Sequence, residues 1–384
     1  MRVLFCSLPA YGHIYPSIPL ALATRDAGHE VVYATDSSSH QSLEAFALDV
    51  AQVGISVRQA FVEASGGAVH PSGMSPERQA ELTGTVFGSL LPRAFFADLG
   101  PLLERMKPDL VVNMAANFGA FLAAKHAGIP SVWHSPGWIA YGEMGASLPA
   151  QLTATANDVG VEYTSGFNPY TDSPLLDIRP ASLQDEAFLR ATNPIPLRPV
   201  PISEPGDLPS FVTDRVRSRP LIYLTLGTVF GAVPVLRQAI EGLATLDADV
   251  IVAAGPSVDV AALGPIPDRV RVVGWVPQAD LLPHVDLVVH HGGSGTMLGA
   301  LAAGVPQLVL PQGADQFGNA EAVETTRAGA AIRPAELTAD SVATKAKRLL
   351  SDDAARAAAR TVAAEIAAMP SPEATVDVLS QLAS

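Results

Sequence analysis

An α/β protein of two similarly wound units is what this sequence predicts, on three observations. Short apolar runs alternate with helix-like stretches along both halves, the signature of a parallel sheet covered by helices on both faces. A dense proline tract, NPIPLRPVPISEPGDLP (193–209), stands between the halves as a stiff connector. At 384 residues the chain exceeds one ordinary core and suits two domains.

The elements follow in order. RVLFCSL (2–8) is a strand leading into PAYGHIYP, which reads as a loop. SIPLALATRDAG is then a helix closed by Gly28, and HEVVYAT the next strand. From Val57 to Met74 the chain carries Gly66, Gly67, Pro71 and Gly73 and reads as a long irregular surface loop. PDLVVNM (108–114), a helix around NFGAFLAAKHAG, and IPSVWH repeat the opening rhythm. PLIYLTLG (220–227) starts the second half, continued by VIVAAG, VRVVGW, VDLVVH and QLVLP. HAGIP (126–130) and AAGVP (302–306) each end a helix on glycine and open a strand after proline. These signals place a first domain over 1–205, a linker over 206–219 and a second domain over 220–368. The last stretch, 369–384, is a helix that can pack back on the first domain.

Composition narrows the partners. With 48% hydrophobic and 16% charged residues the chain is globular, and 24 basic against 38 acidic residues give −14. That charge argues against nucleic acid or an anionic membrane, but not against a small anion at a local positive site. A single cysteine, Cys6, cannot form an internal disulfide and reads as a buried strand residue in a reducing compartment. Neither a signal peptide nor ~18 uninterrupted apolar residues can be found, so a cytoplasmic protein is expected. Oligomeric state is left open, a homodimer included.

The chemistry gathers at strand ends. HHGGSGT (290–296) lies between an apolar strand and a helix, where Gly292, Gly293 and Gly295 let backbone approach a ligand. Free N–H groups and the helix dipole there favour an anion, and Ser294 and Thr296 add hydroxyls. A tight turn without a ligand fits the same letters; a Walker loop does not, and the spacing GxGxxxG is one residue too long for a dinucleotide fingerprint. Adjacent strand residues point to opposite faces, so His290 and His291 are a poor metal pair, and His291, next to the glycines, takes the ligand side. Trp275 of WVPQ ends another strand, as a stacking surface for a base or as a core aromatic. QGADQ puts Asp315 and Gln316 at a third strand end, as a grip for sugar hydroxyls or as a helix cap. His13, just past strand one, is the candidate general base, with His70, His126 and His134 behind it.

Taken together, W-x-x-Q, HGGSGT, AGVP and P-x-x-x-DQ between Trp275 and Gln316 resemble the family-1 GT-B glycosyltransferases. The resemblance spans essentially the whole chain and is closest to actinobacterial enzymes that attach deoxysugars to antibiotics of the calicheamicin type. It implies a GT-B fold, two Rossmann-like doubly wound domains facing across a cleft. It implies that Trp275 and Gln278 meet the base and ribose, while His291, Gly293, Gly295 and Thr296, with Ser294 and with Thr228 of TLGT, hold the pyrophosphate. Asp315 and Gln316 would bind the donor sugar, and His13 would deprotonate the acceptor hydroxyl in an inverting displacement that needs no metal or other cofactor. The partners implied are a dTDP-sugar and a small aglycone, met by front-half loops around His70, Phe87, Met114 and Trp138, with Phe61, Phe95 and Tyr141 nearby. Two positions depart from the pattern: Gly299 replaces a ribose-binding glutamate, which suits a 2′-deoxyribose, and Met114 replaces an acidic partner for the histidine. Three rivals remain. One is a metal site at Asp247-Ala248-Asp249, which also reads as a solvated turn. The others are a nucleotide-sugar epimerase of the same architecture and a weakly catalytic auxiliary homologue.

Overall fold

The computed structural model describes residues 1–67, 75–139, 147–162, 168–215, 218–227, 233–255 and 258–384. They form two compact units. The first comprises Met1–Ile178, Asp185–Leu197 and Pro370–Ser384, the second Arg179–Gln184 and Arg198–Met369.

The first unit holds strands β1 (Arg2–Cys6), β2 (Glu30–Thr35), β3 (Asp49–Gln52), β4 (Leu110–Met114), β5 (Ser131–His134), β6 (Leu175–Asp177) and β7 (Ile195–Pro196). All pair in parallel, in the order β3-β2-β1-β4-β5-β6-β7. The second unit holds β8 (Leu221–Thr225), β9 (Asp249–Ala253), β10 (Val270–Val273), β11 (Leu287–His290), β12 (Gln307–Val309) and β13 (Gly329–Ala331). Their parallel order, β10-β9-β8-β11-β12-β13, repeats the first six positions of the other sheet. Both are doubly wound sheets whose order reverses once, beside β1 and β4 in the first and beside β8 and β11 in the second.

Strand alternation explains why both faces are covered. In the second unit Ile222, Leu224, Val250 and Val252 enter one buried cluster, and Leu221, Tyr223, Ile251 and Ala253 enter another. Successive side chains on a strand point oppositely, so continuous apolar runs such as LIYL fill two cores at once. Leu4, Cys6 and Val111 likewise share a core with Phe95, Leu99 and Leu103 of the helix Leu91–Met106. The run Glu77–Met106 is long and apolar enough to cross a membrane, but that stripe is buried inside the first unit, as in a core helix.

Several expectations are corrected. PAYGHIYP is two helical turns, Tyr11–Ile14 and Tyr15–Ser17, because His13 and Ile14 N–H both donate to Ala10 O (2.9 and 3.0 Å). Val57–Ala64 is a helix capped by Ser56 Oγ, with Val57, Phe61 and Ala64 against the core; residues 68–74 lie outside the described set. The chain enters the second unit at Arg179–Gln184 and again at Arg198, ahead of the expected boundary at 205, and Arg198 Nε and Nη2 donate to Met369 O (3.0 and 2.9 Å). The stretch 206–219 is not a free linker, since Val212 is buried against Leu221 and Tyr223. The terminal helix Pro372–Leu382 packs on Ile18–Asp26 of the first unit.

Candidate active site

At the switch point of the second sheet, β11 ends in His290 and the helix Ser294–Ala302 begins four residues later. Gly292 has φ +99°, and a Cβ there would lie 2.9 Å from both Gln316 O and Val309 Cγ1. At Gly293 a Cβ would meet His291 Nε2 at 2.5 Å, whereas at Gly295 it would meet nothing within 4 Å. Packing therefore requires the first two glycines and leaves Gly295 open to the outside. Gly293 is the N-cap and supplies no side chain, and among the described residues no acceptor meets the N–H groups of Ser294, Gly295 and Thr296. Unpaired donors at a positive dipole end are what an anion seeks.

The two histidines divide as the pleat requires. His290 is fully buried; its Nδ1 accepts from Gly292 N–H (3.0 Å), so Nε2 carries the proton and donates to Gln307 Oε1 (2.7 Å). Burial, with the neighbouring His291, lowers its pKa to about 3. His291 is partly exposed and its ring lies against Gly227 and Gly293, where added Cβ atoms would come within 2.6 and 2.5 Å. Its buried Nδ1 has no hydrogen-bond partner, and burial lowers its pKa to about 4, against the Thr225 backbone.

Around this turn stand the other expected residues. Trp275 is 50% exposed, so it is not a core aromatic, and Gly206 backs its indole. Gln278 Oε1 accepts from Thr296 Oγ1 (3.1 Å) and Tyr223 Oη (3.3 Å), linking the helix start to the strand end beside it. A Cβ at Gly299 would meet Leu282 Cδ1 at 3.0 Å and Gln278 Nε2 at 3.8 Å. Asp315 precedes the helix Gln316–Thr325 but does not cap it with its side chain. Its Oδ2 instead accepts from Ser294 Oγ and Asn319 Nδ2, both at 3.0 Å. Burial raises the Asp315 pKa, opposed by those two hydrogen bonds and by the charge of Arg179. Gln316 is 2% exposed, and its Oε1 accepts from the N–H of Gln312 (2.7 Å) and Gly313 (3.2 Å). That oxygen shapes the loop; the amide Nε2 is what remains for an outside hydroxyl. Sequence reasoning missed Asn319 and Arg179. The former sits one helical turn from Asp315, a spacing that was readable; the latter has no local signal.

In the first unit His13 stands at the corresponding switch point, past β1 and against the Ala115 backbone that follows β4. The ring is partly exposed, but Nδ1 is buried and unpaired. Burial lowers its pKa to about 4, with Ala115 pulling the other way. Asn113 is fully buried with both amide atoms unpaired, and Asn117 caps the next helix by accepting from Ala120 N–H (3.3 Å). His134 is fully buried, its Nδ1 donating to Ser135 O (2.8 Å) and its pKa lowered to about 4 by burial; His126 is exposed at a helix end. Met114, expected at an acceptor pocket, is 1% exposed in a strand paired on both sides. Phe95 is likewise core, lying where a Cβ at Gly54 or Gly119 would clash. Phe87 and Trp138 are partly buried, Phe87 forming an edge contact with Phe61 at 6.2 Å. Thr228, His70 and Tyr141 lie outside the described residues. Asp247 is an exposed ion-pair centre for Arg219 (2.7 Å) and Arg269 (2.8 Å), at the opposite strand end from the glycines, so the metal reading of that pair is set aside.

Comparison with known proteins identifies the family. Residues 237–382 match the family of the erythromycin biosynthesis protein CIII-like C-terminal domain. Elloramycin glycosyltransferase ElmGT of Streptomyces olivaceus is 34% identical, the alignment covering 100% of this chain and 97% of the relative. L-demethylnoviosyl transferase of Streptomyces niveus is 31% identical over 99% and 98% of the two chains. The structure of the Streptomyces sp. SF2575 glycosyltransferase SsfS6, complexed with thymidine diphosphate, superposes with TM-score 0.80 at 27% identity, covering 99% of each chain. The chain belongs to the family-1 GT-B glycosyltransferases of the erythromycin CIII-like type, close to the actinobacterial antibiotic deoxysugar transferases.

Proposed function

We propose that the protein moves a deoxysugar from a dTDP-sugar to a hydroxyl of a small, largely apolar natural-product aglycone, with inversion and without a metal. The observation that carries this reading is the uncapped N-terminus of the helix Ser294–Ala302 at the switch point of the second sheet. Three free N–H groups, with Thr296 and His291 in the same turn, support a diphosphate site there, and the half-exposed Trp275 supports a face for the base. Relatives that carry names of deoxysugar transferases, and a similar structure holding thymidine diphosphate, support the same choice.

The acceptor oxygen attacks the anomeric carbon while the bond to the diphosphate oxygen breaks, and dTDP leaves with the electron pair. His13, neutral down to about pH 4, accepts the hydroxyl proton. Negative charge growing on the diphosphate is met by the helix N-terminus, which needs no reorganisation during the reaction. Asp315 and the Gln316 amide hold sugar hydroxyls. At Gly299 there is no carboxylate for a second ribose hydroxyl, and a Cβ there would press on Leu282 Cδ1 at 3.0 Å.

Calorimetry with dTDP and UDP in the absence of divalent ions tests this. The expected result is binding of both, tighter for dTDP. Failure of dTDP to bind would remove the reading; equal affinities would remove the preference for a deoxyribose.

A further inference from the structure

Beneath the sugar grip lies a buried polar assembly that the transfer chemistry does not itself require. Asn319 is fully buried, and its Oδ1 accepts from Arg179 Nη1 (2.9 Å). That contact fixes which way the amide points. Its Nδ2 then faces three acceptors, Gly292 O (2.9 Å), Ser294 Oγ (3.0 Å) and Asp315 Oδ2 (3.0 Å). Ser294 Oγ passes its own hydrogen to Asp315 Oδ2 (3.0 Å). Both side-chain donors converge on Oδ2 and neither uses Oδ1.

Arg179 is only 5% exposed, and its Nε donates to Leu183 O (2.8 Å). A guanidinium is costly to bury, and here its charge reaches a carboxylate through a neutral amide. The Asp315 carboxyl is pushed toward its neutral form by burial and held toward the anion by Ser294, Asn319 and Arg179. The anion accepts hydroxyl hydrogens at both oxygens and more strongly than the neutral acid, so ionisation strengthens a sugar grip.

We propose that Arg179 and Asn319 are positioning residues for the donor sugar, holding the Asp315 carboxylate in place. This rests on the reading that Asp315 grips the sugar of a dTDP-sugar. It differs from that reading in predicting that sugar affinity can be lost while nucleotide affinity is kept.

The test compares dTDP, dTDP-glucose and dTDP-rhamnose by calorimetry, without acceptor, so that His13 plays no part. In wild type the better of the two sugar nucleotides should bind tighter than dTDP. Arg179→Gln should weaken that sugar nucleotide about tenfold at pH 7, the scale of one hydrogen bond to a charged group, and leave dTDP within about threefold. The pH below which the sugar contribution disappears should rise, because Asp315 loses a cation that keeps it ionised. Arg179→Lys should restore most of both. Equal losses for dTDP and sugar nucleotide, no shift in the pH profile, or a wild type with no sugar contribution would each overturn the proposal. If Arg179→Gln lacks a cooperative melt, Asn319→Asp decides: it still accepts from Arg179 but offers Asp315 no hydrogen. It should then abolish the sugar contribution, and an unchanged preference for the sugar nucleotide overturns the proposal. Failure of dTDP itself to bind wild type would instead strike the donor reading.

Discussion

The two sheets share a strand order, and each follows its fourth strand with a nine-residue helix, Phe118–His126 in one and Ser294–Ala302 in the other. Both helices are followed by a glycine in the left-handed region, Gly128 at φ +66° and Gly304 at φ +67°. They differ at the other end. Asn117 caps its own helix by accepting from Ala120 N–H, while Gly293 has no side chain with which to cap. One helix start is closed by its own side chain and the other is left without a side-chain cap. The histidines divide in the same way. The first sheet sets His13 after its first strand, where burial disfavours the imidazolium and keeps the ring neutral; the second sets His291 after its fourth, packed against bare glycines. Under the proposed function, one topology would serve proton transfer in one unit and anion binding in the other, with a few residues at the switch point deciding which.

The largest effect expected from breaking this division is on turnover. His13→Ala should slow transfer to an aliphatic hydroxyl by about 10²–10⁴-fold, the usual worth of a general base, and less on a phenol, which ionises more readily. Steady-state rates on paired acceptors check this, and a fully active variant on the aliphatic one would move the base elsewhere.

A second effect is on stability in acid, and it belongs to both units. His13 and His134 in the first, and His290 and His291 in the second, have folded pKa values lowered to about 4, 4, 3 and 4. Unfolded histidine titrates near ~6.5, so below that value the unfolded chain binds more protons and stability falls with pH. Each contributes a slope of up to about 1.4 kcal/mol per pH unit, present from near pH 6.5 down to its folded value. Urea unfolding between pH 7 and 4.5 reads the slope, and a flat profile would mean that these imidazoles are not buried neutral.

The smallest effect sharpens the contrast between the helix ends. Asn117→Ala removes a cap and should cost about 1 kcal/mol of stability without touching nucleotide affinity. A loss of dTDP binding in this variant would blur the line between the two switch points.

Much of this was legible in the letters. Alternating runs such as LIYLT and LVVH announced buried parallel strands, and HGGSGT announced a helix start without a cap, because glycine and φ leave local traces. AANFG could have been read as its capped counterpart from Asn117 alone. The helix Val57–Ala64 was obscured by the glycines that follow it, although Ser56 three residues before Gln59 is a capping signal. Phe95 and Met114 looked like pocket residues because an apolar side chain reads alike in a core and on a pocket wall. Arg179 lies 140 positions from Asn319, and a contact over that distance depends on how the chain returns, which no short motif records.

The division of labour is tested most directly by dTDP calorimetry on two variants, His13→Ala and Gly295→Val. A Cβ at Gly295 meets nothing outside its own helical turn within 4 Å, so Gly295→Val should fold and obstruct what approaches the helix end from outside. The account predicts wild-type dTDP affinity for His13→Ala and a loss of about tenfold or more for Gly295→Val, with unchanged melting temperature. Unaltered dTDP binding by Gly295→Val, or an equal loss in His13→Ala, would contradict it.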